Sequence, residues 1–168
     1  MLMNCALCQV VSVPIIVPTS YNHSKQLIAF ERRSGEFSLF DHGALDSCRE
    51  GEVDELRPGE RLVAEFFKLT DLVAAEELMD ILRSGKYLLA GVRGLSLVYE
   101  QAKTVIPERC RFFSFDRQGP EFGRGGRARA QAYLGLRMYA TTQFELALGH
   151  CDLGMTAGAD GLLLLRRF

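Results

Sequence analysis

The hydrophobic and polar positions of this chain fall into short periodic runs, separated by glycine, proline and small polar residues. From Val10 to Val17 the residues are β-branched and nearly continuous, the pattern of a strand with little solvent exposure, and Pro14 restricts that strand to an edge or a bulge. Leu27 to Phe30 and Phe37 to Phe40 flank Arg32-Arg33-Ser34-Gly35, where Gly35 can supply a positive φ, so this stretch predicts a hairpin. Asp41 to Glu60 is acidic and contains the turn signal Arg57-Pro58-Gly59; it predicts a long loop with a short strand near Val53. Arg61 to Lys68 predicts a further strand.

Asp71 to Ser84 predicts a helix. Thr70 can cap it, Asp71 complements the dipole and Gly85 can end it, while Leu72, Ala75, Met79 and Leu82 form one stripe. Lys86 to Val92 reads as a strand, and Leu95 to Ile106 as a second helix with Val98, Ala102 and Val105 on one side and Pro107 at its end.

The clearest periodicity begins at Arg127. Ala128, Ala130, Ala132, Leu134, Leu136, Met138 and Ala140 occupy every even position among Arg127, Arg129, Gln131, Tyr133, Arg137 and Tyr139. A period of two describes a strand with one dry face and one wet face; wound into a helix, the same positions would spread around the whole circumference. The alternation resumes at Phe144, Leu146 and Leu148, and Cys110 to Arg117 and Leu162 to Phe168 complete an expected four-stranded meander. The glycine-rich piece from Gly119 to Gly126 is the loop joining two of its strands. The sequence therefore predicts one α+β domain spanning residues 1–168: a mainly antiparallel sheet, flat or curled into a partial barrel, with about two packed helices.

Composition supports a globular chain able to bury its own core, with 168 residues, 48% hydrophobic and 24% charged. A formal net charge of -1 gives no bulk attraction to nucleic acid or anionic membrane. No Lys or Arg precedes the first apolar stretch, which is short and broken by prolines, so neither a signal peptide nor a membrane span is expected and the cytoplasm is the expected compartment. Five cysteines, an odd number, predict reduced thiols. Cys5-Ala6-Leu7-Cys8 has half of a zinc-site spacing without a second half, so no metal or other cofactor is expected.

Charge is segregated. Twelve acids, from Asp41 to Asp80, outnumber the bases of that stretch, whereas Lys103 to Arg137 is rich in arginine. If Cys110 to Arg117 pairs with the strand after the glycine loop, Arg111, Phe113, Phe115 and Arg117 share a face, with Arg127, Arg129, Tyr133, Arg137 and Tyr139 beside them. Arginines interleaved with aromatics on a sheet grip phosphates and stack bases. The ordinary alternative is a solvated sheet face covered by the acidic stretch of the same molecule. Gly123-Arg124-Gly125-Gly126-Arg127 offers backbone N–H groups to an anion. In composition it resembles the glycine loop with which acetyltransferases hold the coenzyme A pyrophosphate, but the spacing differs and a strand pattern follows where that family has a helix.

The histidines are less informative. His150 and Asp152 flank Cys151 on the opposite strand face, which makes no nucleophile and base pair; His23, Asp41 and His42 can meet only if the fold brings them together.

The expected function is a noncatalytic binding or regulatory module, working as a homodimer. Its site is Arg111, Phe113, Arg117, Arg124, Arg127, Arg129, Tyr133 and Arg137. Its partner is anionic: a phosphate-bearing small molecule, a single-stranded nucleic acid or an acidic protein surface. The alternatives are an acyl-CoA-dependent transferase, and a protein whose two charged poles pair between subunits.

Overall fold

A computed structural model of the chain describes residues 7–49, 53–71, 75–115, 117, 132–138, 144–150 and 158–168. Seven strands form one open mixed sheet in the order β1-β3-β7-β4-β5-β6-β2. They are β1 (Leu7–Ile16), β2 (Phe37–Phe40), β3 (Arg61–Leu69), β4 (Arg111–Ser114), β5 (Ala132–Met138), β6 (Phe144–His150) and β7 (Asp160–Arg167). Four α-helices are described: α1 (His23–Glu31), α2 (His42–Arg49), α3 (Ala75–Arg83) and α4 (Gly91–Ala102). The α+β class and the predominance of antiparallel pairing are as the sequence predicts; the sheet does not close into a barrel. None of the described helices is long and apolar enough to cross a membrane.

β1 takes the edge, where Pro14 is tolerated, and pairs antiparallel with β3 from Ile16 opposite Arg61 to Leu7 opposite Leu69, with a bulge between Gln9 and Val11. β4, β5 and β6 form an antiparallel meander. The expected fourth member departs from that order: β7 lies on the other side of β4 and parallel to it, with β3 as its antiparallel neighbour. Alternation along a strand specifies its faces and not its neighbours, so periodicity alone could not place it.

The expected hairpin is also corrected. Leu27 to Phe30 lies within α1, because Asn22 takes an extended N-cap conformation and its side-chain oxygen accepts from Lys25 N at 3.0 Å. Gln26, Leu27 and Phe30 then fall on one buried stripe. β2 forms as expected but pairs in parallel with β6. Asp41 to Glu60 is not wholly loop, since α2 occupies part of it, and Val53 is not in a strand. The strand expected at Lys86 to Val92 reduces to one bridge between Leu88 and Leu165, and Gly91, at φ 52, opens α4. β4 pairs with β7 only as far as Leu162, so Leu88 can meet β7 at Leu165 before the start of α4 ends the extended run.

One sheet face is covered by α1 and α4, whose Leu27, Phe30, Leu95, Val98 and Tyr99 meet Leu62, Phe66, Phe112, Leu163 and Leu165. The other is covered by α3, whose Leu78 and Leu82 share a cluster with Leu69, Phe113, Leu162 and Leu164. The predicted stripe residue Leu72 lies outside the described residues and α3 is described from Ala75, while Gly85, at φ 72, follows α3 as expected.

Two glycines are fixed by close approach. A Cβ at Gly161 would lie 2.3 Å from the Phe67 carbonyl oxygen, and one at Gly94 would lie 2.7 Å from both Ala90 Cβ and Leu165 Cδ1. Gly161→Ala is expected to cost about 3 kcal/mol, since a sheet carbonyl cannot move aside, and Gly94→Ala about 1–2 kcal/mol. Gly35→Ala, with nothing within 4 Å of the new atom, is the control and should be neutral or slightly stabilising. Urea denaturation midpoints at unchanged slope provide the measurement.

Candidate functional site

α1 and α4 lie side by side. Gln26 Nε2 donates to Ser96 Oγ at 3.3 Å and to Glu100 Oε2 at 3.1 Å, and the Phe30 and Tyr99 ring centroids are 5.7 Å apart. The Arg93 charge acts on both Tyr21 and His23, so these three stand together where the two helices begin.

Two tethers bring the acidic loop and the end of β4 to the same place. Gly91 N donates to Phe115 O at 2.9 Å, and Ser114 Oγ donates to Gly91 O at 2.9 Å, fixing the end of β4 to the start of α4. Asp54 N donates to Leu89 O at 3.0 Å, and Leu89 N donates to Asp54 Oδ2 at 2.8 Å. The other Asp54 oxygen accepts from both Nε (2.7 Å) and a terminal nitrogen of Arg117. Both bonds converge on one oxygen, a charge-assisted contact of the kind arginine makes with carboxylate and phosphate oxygens.

The Tyr21 hydroxyl and His23 Nδ1 are 2.9 Å apart, and their rings meet edge to face at 4.9 Å between centroids. Burial, reinforced by the Arg93 charge, holds the His23 imidazole below its ordinary pKa, against the opposing pull of Glu55. Burial pushes the Tyr21 phenol up to about 12, with Arg93 acting the other way. At neutral pH the pair is uncharged, and the phenol is the donor when Nδ1 carries no proton. Cationic Arg93 and Arg117, a neutral imidazole and a phenol thus gather with Asp54 and Glu55.

The predicted site residues separate into four groups. Arg111 and Phe113 are brought together, with the guanidinium 5.5 Å from the ring centroid, but in the service of the fold. Arg111 reaches Asp160 Oδ1 through Nε at 2.8 Å and a terminal nitrogen at 2.7 Å, and the Asp160 side chain is 5% exposed. Phe113 is 2% exposed beneath α3, which removes it as a stacking surface. Arg117 stands at the gathered end, held by Asp54. Tyr133 and Arg137 lie on β5, extended as the alternation predicts; the register puts Arg137 opposite Arg111 on one side and Glu145 on the other. Arg124, Arg127 and Arg129 lie outside the described residues, as do Tyr139, Cys5, Cys151 and Asp152.

The histidines do not converge. His23 meets Tyr21, whereas His42 Nδ1 lies 3.1 Å from Glu31 Oε1. Buried Cys110 has its thiol pushed up to about 11 by burial, the environment of an inert thiol. Among the described residues no three His, Cys, Asp or Glu side chains are grouped to hold a metal. Sequence reasoning missed Tyr21, Arg93, Asp54 and Glu55. The signal that could have found the first was Asn22 three residues before Lys25, an N-cap that makes Tyr21 and His23 the start of a helix.

Because His23 is depressed below 6.5 in the folded state, it takes up its proton more readily when unfolded. Its contribution is present above the unfolded value and is lost as pH falls through the folded one. NMR titration of His23 should give a midpoint below 6.5, moving up in Arg93→Gln and down in Glu55→Gln. Arg111→Ala, which strands the buried Asp160 carboxylate, should lower unfolding stability by roughly 3 kcal/mol; a loss under about 0.5 kcal/mol would show that Arg111 has no such structural role.

Comparison of the chain with protein-family models, with curated proteins and with solved structures found no match, so the reading of this end rests on its chemistry.

Proposed function

We propose that the chain is a noncatalytic binding module that recognises an anionic partner at the end of the sheet where α1 and α4 begin. The observation that carries this reading is Arg117. It stands at the start of the segment joining β4 to β5 and engages a carboxylate through two nitrogens of one guanidinium, at the end that also holds Arg93 and His23. The joining segment carries Arg124, Arg127 and Arg129, and β5 brings Tyr133 to this end, whereas Arg137 stands opposite Arg111 at the other end of β4. Arg111 and Phe113 leave the set, since they bind Asp160 and fill the core under α3.

The partner is defined by closely spaced anionic oxygens, a chemistry shared by a phosphate-bearing small molecule, a single-stranded nucleic acid and an acidic protein surface. An uncharged imidazole and a phenol beside the arginines add hydrogen-bonding groups without adding charge. In this reading the module works in the cytoplasm as a homodimer.

Thermal melting with inorganic pyrophosphate, oligodeoxythymidylate and an oligoglutamate peptide separates the partner classes. A ligand present at 100 times its Kd stabilises the native state by about 2.7 kcal/mol, several degrees of melting temperature at this chain length. The right class raises the melting temperature, and the rise shrinks with added salt. Arg127→Glu with Arg129→Glu should abolish the response while leaving the ligand-free melt unchanged. Silence towards all three probes, or an undiminished response in the double variant, would remove the proposal.

A further inference from the structure

β1 is an edge strand; among the described residues its strand neighbour is β3 alone. Val17, just after it, faces β3: its N–H donates to Glu60 O at 2.9 Å and its carbonyl accepts from Gly59 N at 2.8 Å. Backbone groups alternate in direction along a strand, so Ile16, Pro14 and Ser12 turn theirs outward, away from β3.

The outward groups are not left alike. Ile16 N donates to Gln101 Oε1 at 2.9 Å, and Gln101 Nε2 donates to Ile16 O at 2.7 Å. One carboxamide, carried on α4, both accepts from and donates to a single strand residue. It reproduces the reciprocal pair of hydrogen bonds that a residue of a neighbouring antiparallel strand would make. Two residues along, Pro14 has no N–H to offer, and beyond Ser12 the bulge between Gln9 and Val11 bends the edge.

The strand so treated needs protection. Leu7–Ile16 carries no charged residue, and Val10 and Ile16 are 40% and 50% exposed. An uncharged, apolar edge with open backbone groups is a template for another strand. The strand that fits it best is its own copy, which would run antiparallel about a two-fold axis with apolar residues facing apolar ones and no like charges opposed.

We infer that Gln101 is an edge lock: its side chain stands in for a strand on β1 and, with Pro14, keeps the edge closed to β1 of a second copy of the chain. Any homodimer must then use a different surface, so this inference stands apart from the anion-binding reading.

In the unaltered protein, hydrogen exchange should be slower at Ile16 N–H than at Ser12 N–H on the same outward row; equal rates would overturn the proposal without any variant. Gln101→Leu, one atom shorter, keeps helix propensity while removing both hydrogen bonds. Its Ile16 amide should exchange at least tenfold faster at low protein concentration, on the order expected for losing one net hydrogen bond. Gln101→Leu with Pro14→Val restores the missing donor. The double variant should show a sedimentation mass that rises with concentration towards twice that of the unaltered protein, and renewed protection at Ile16 in the associated form. A double variant that keeps its circular dichroism melt and the unaltered protein's mass at every concentration would overturn the lock, as would slow Ile16 exchange in Gln101→Leu.

Discussion

The double burial of β7 is the constraint on which the rest of the structure depends. Leu162, Leu163, Leu164 and Leu165 are each 2% exposed or less, two turned towards α4 and two towards the α3 cluster. Each fully buried leucine contributes about 1.5–3 kcal/mol, so these four consecutive residues are a large apolar contribution from one short segment. It requires helices on both faces and strands on both edges. β3 comes close enough that Gly161 has no room for a side chain, and Gly94 lets α4 settle against Leu165. The ends of β7 are charged and tethered: Asp160 holds Arg111, while Arg166 and Arg167 hold Glu65 and Glu60.

How much of this was legible depends on which physical signal each element carries. A period of two identified β5 and β6, and a β-branched run with one proline identified β1 and its place at an edge, because side-chain alternation and the missing proline N–H are local facts. The position of β7 between β3 and β4 is not local. Four consecutive leucines announce a strand covered on both faces but carry no information about which strands lie beside it. α1 was obscured for a different reason: Leu27-Ile28-Ala29-Phe30 is too short to separate a period of two from one of 3.6. The feature that decides it, the Asn22 cap, lies outside the apolar run.

The candidate site was legible as residue types and not as partnerships. Arginine and aromatic residues do alternate along β4, and Arg111 does lie over a ring, but the ring is core and the guanidinium belongs to Asp160. What the alternation could not reveal is that α3 covers this face. Tyr21, His23 and Arg93 meet because α1 and α4 are neighbours, a relation between residues some 70 positions apart that no spacing rule encodes.

The segregation of charge along the chain acquires a different meaning in three dimensions. The acidic stretch supplies Asp54, Glu60 and Glu65, and each meets an arginine from the second half of the chain: Arg117, Arg167 and Arg166. The two poles of the sequence are therefore interleaved within one molecule, since β3 from the acidic stretch lies directly beside β7. Charge consumed in this way is not available to hold two subunits together, which weakens the pairing of poles as a driving force for association. It also narrows where an external anion could be met. Arg111, Arg166 and Arg167 are committed to carboxylates with low exposure, whereas Arg117 shares its acid with a backbone amide at the mouth of a segment that carries three further arginines. A competing anion that engages several of those arginines at once needs to displace only one carboxylate, and Asp54 would still keep its bond to Leu89 N, so the loop it anchors need not unfold for the exchange to occur.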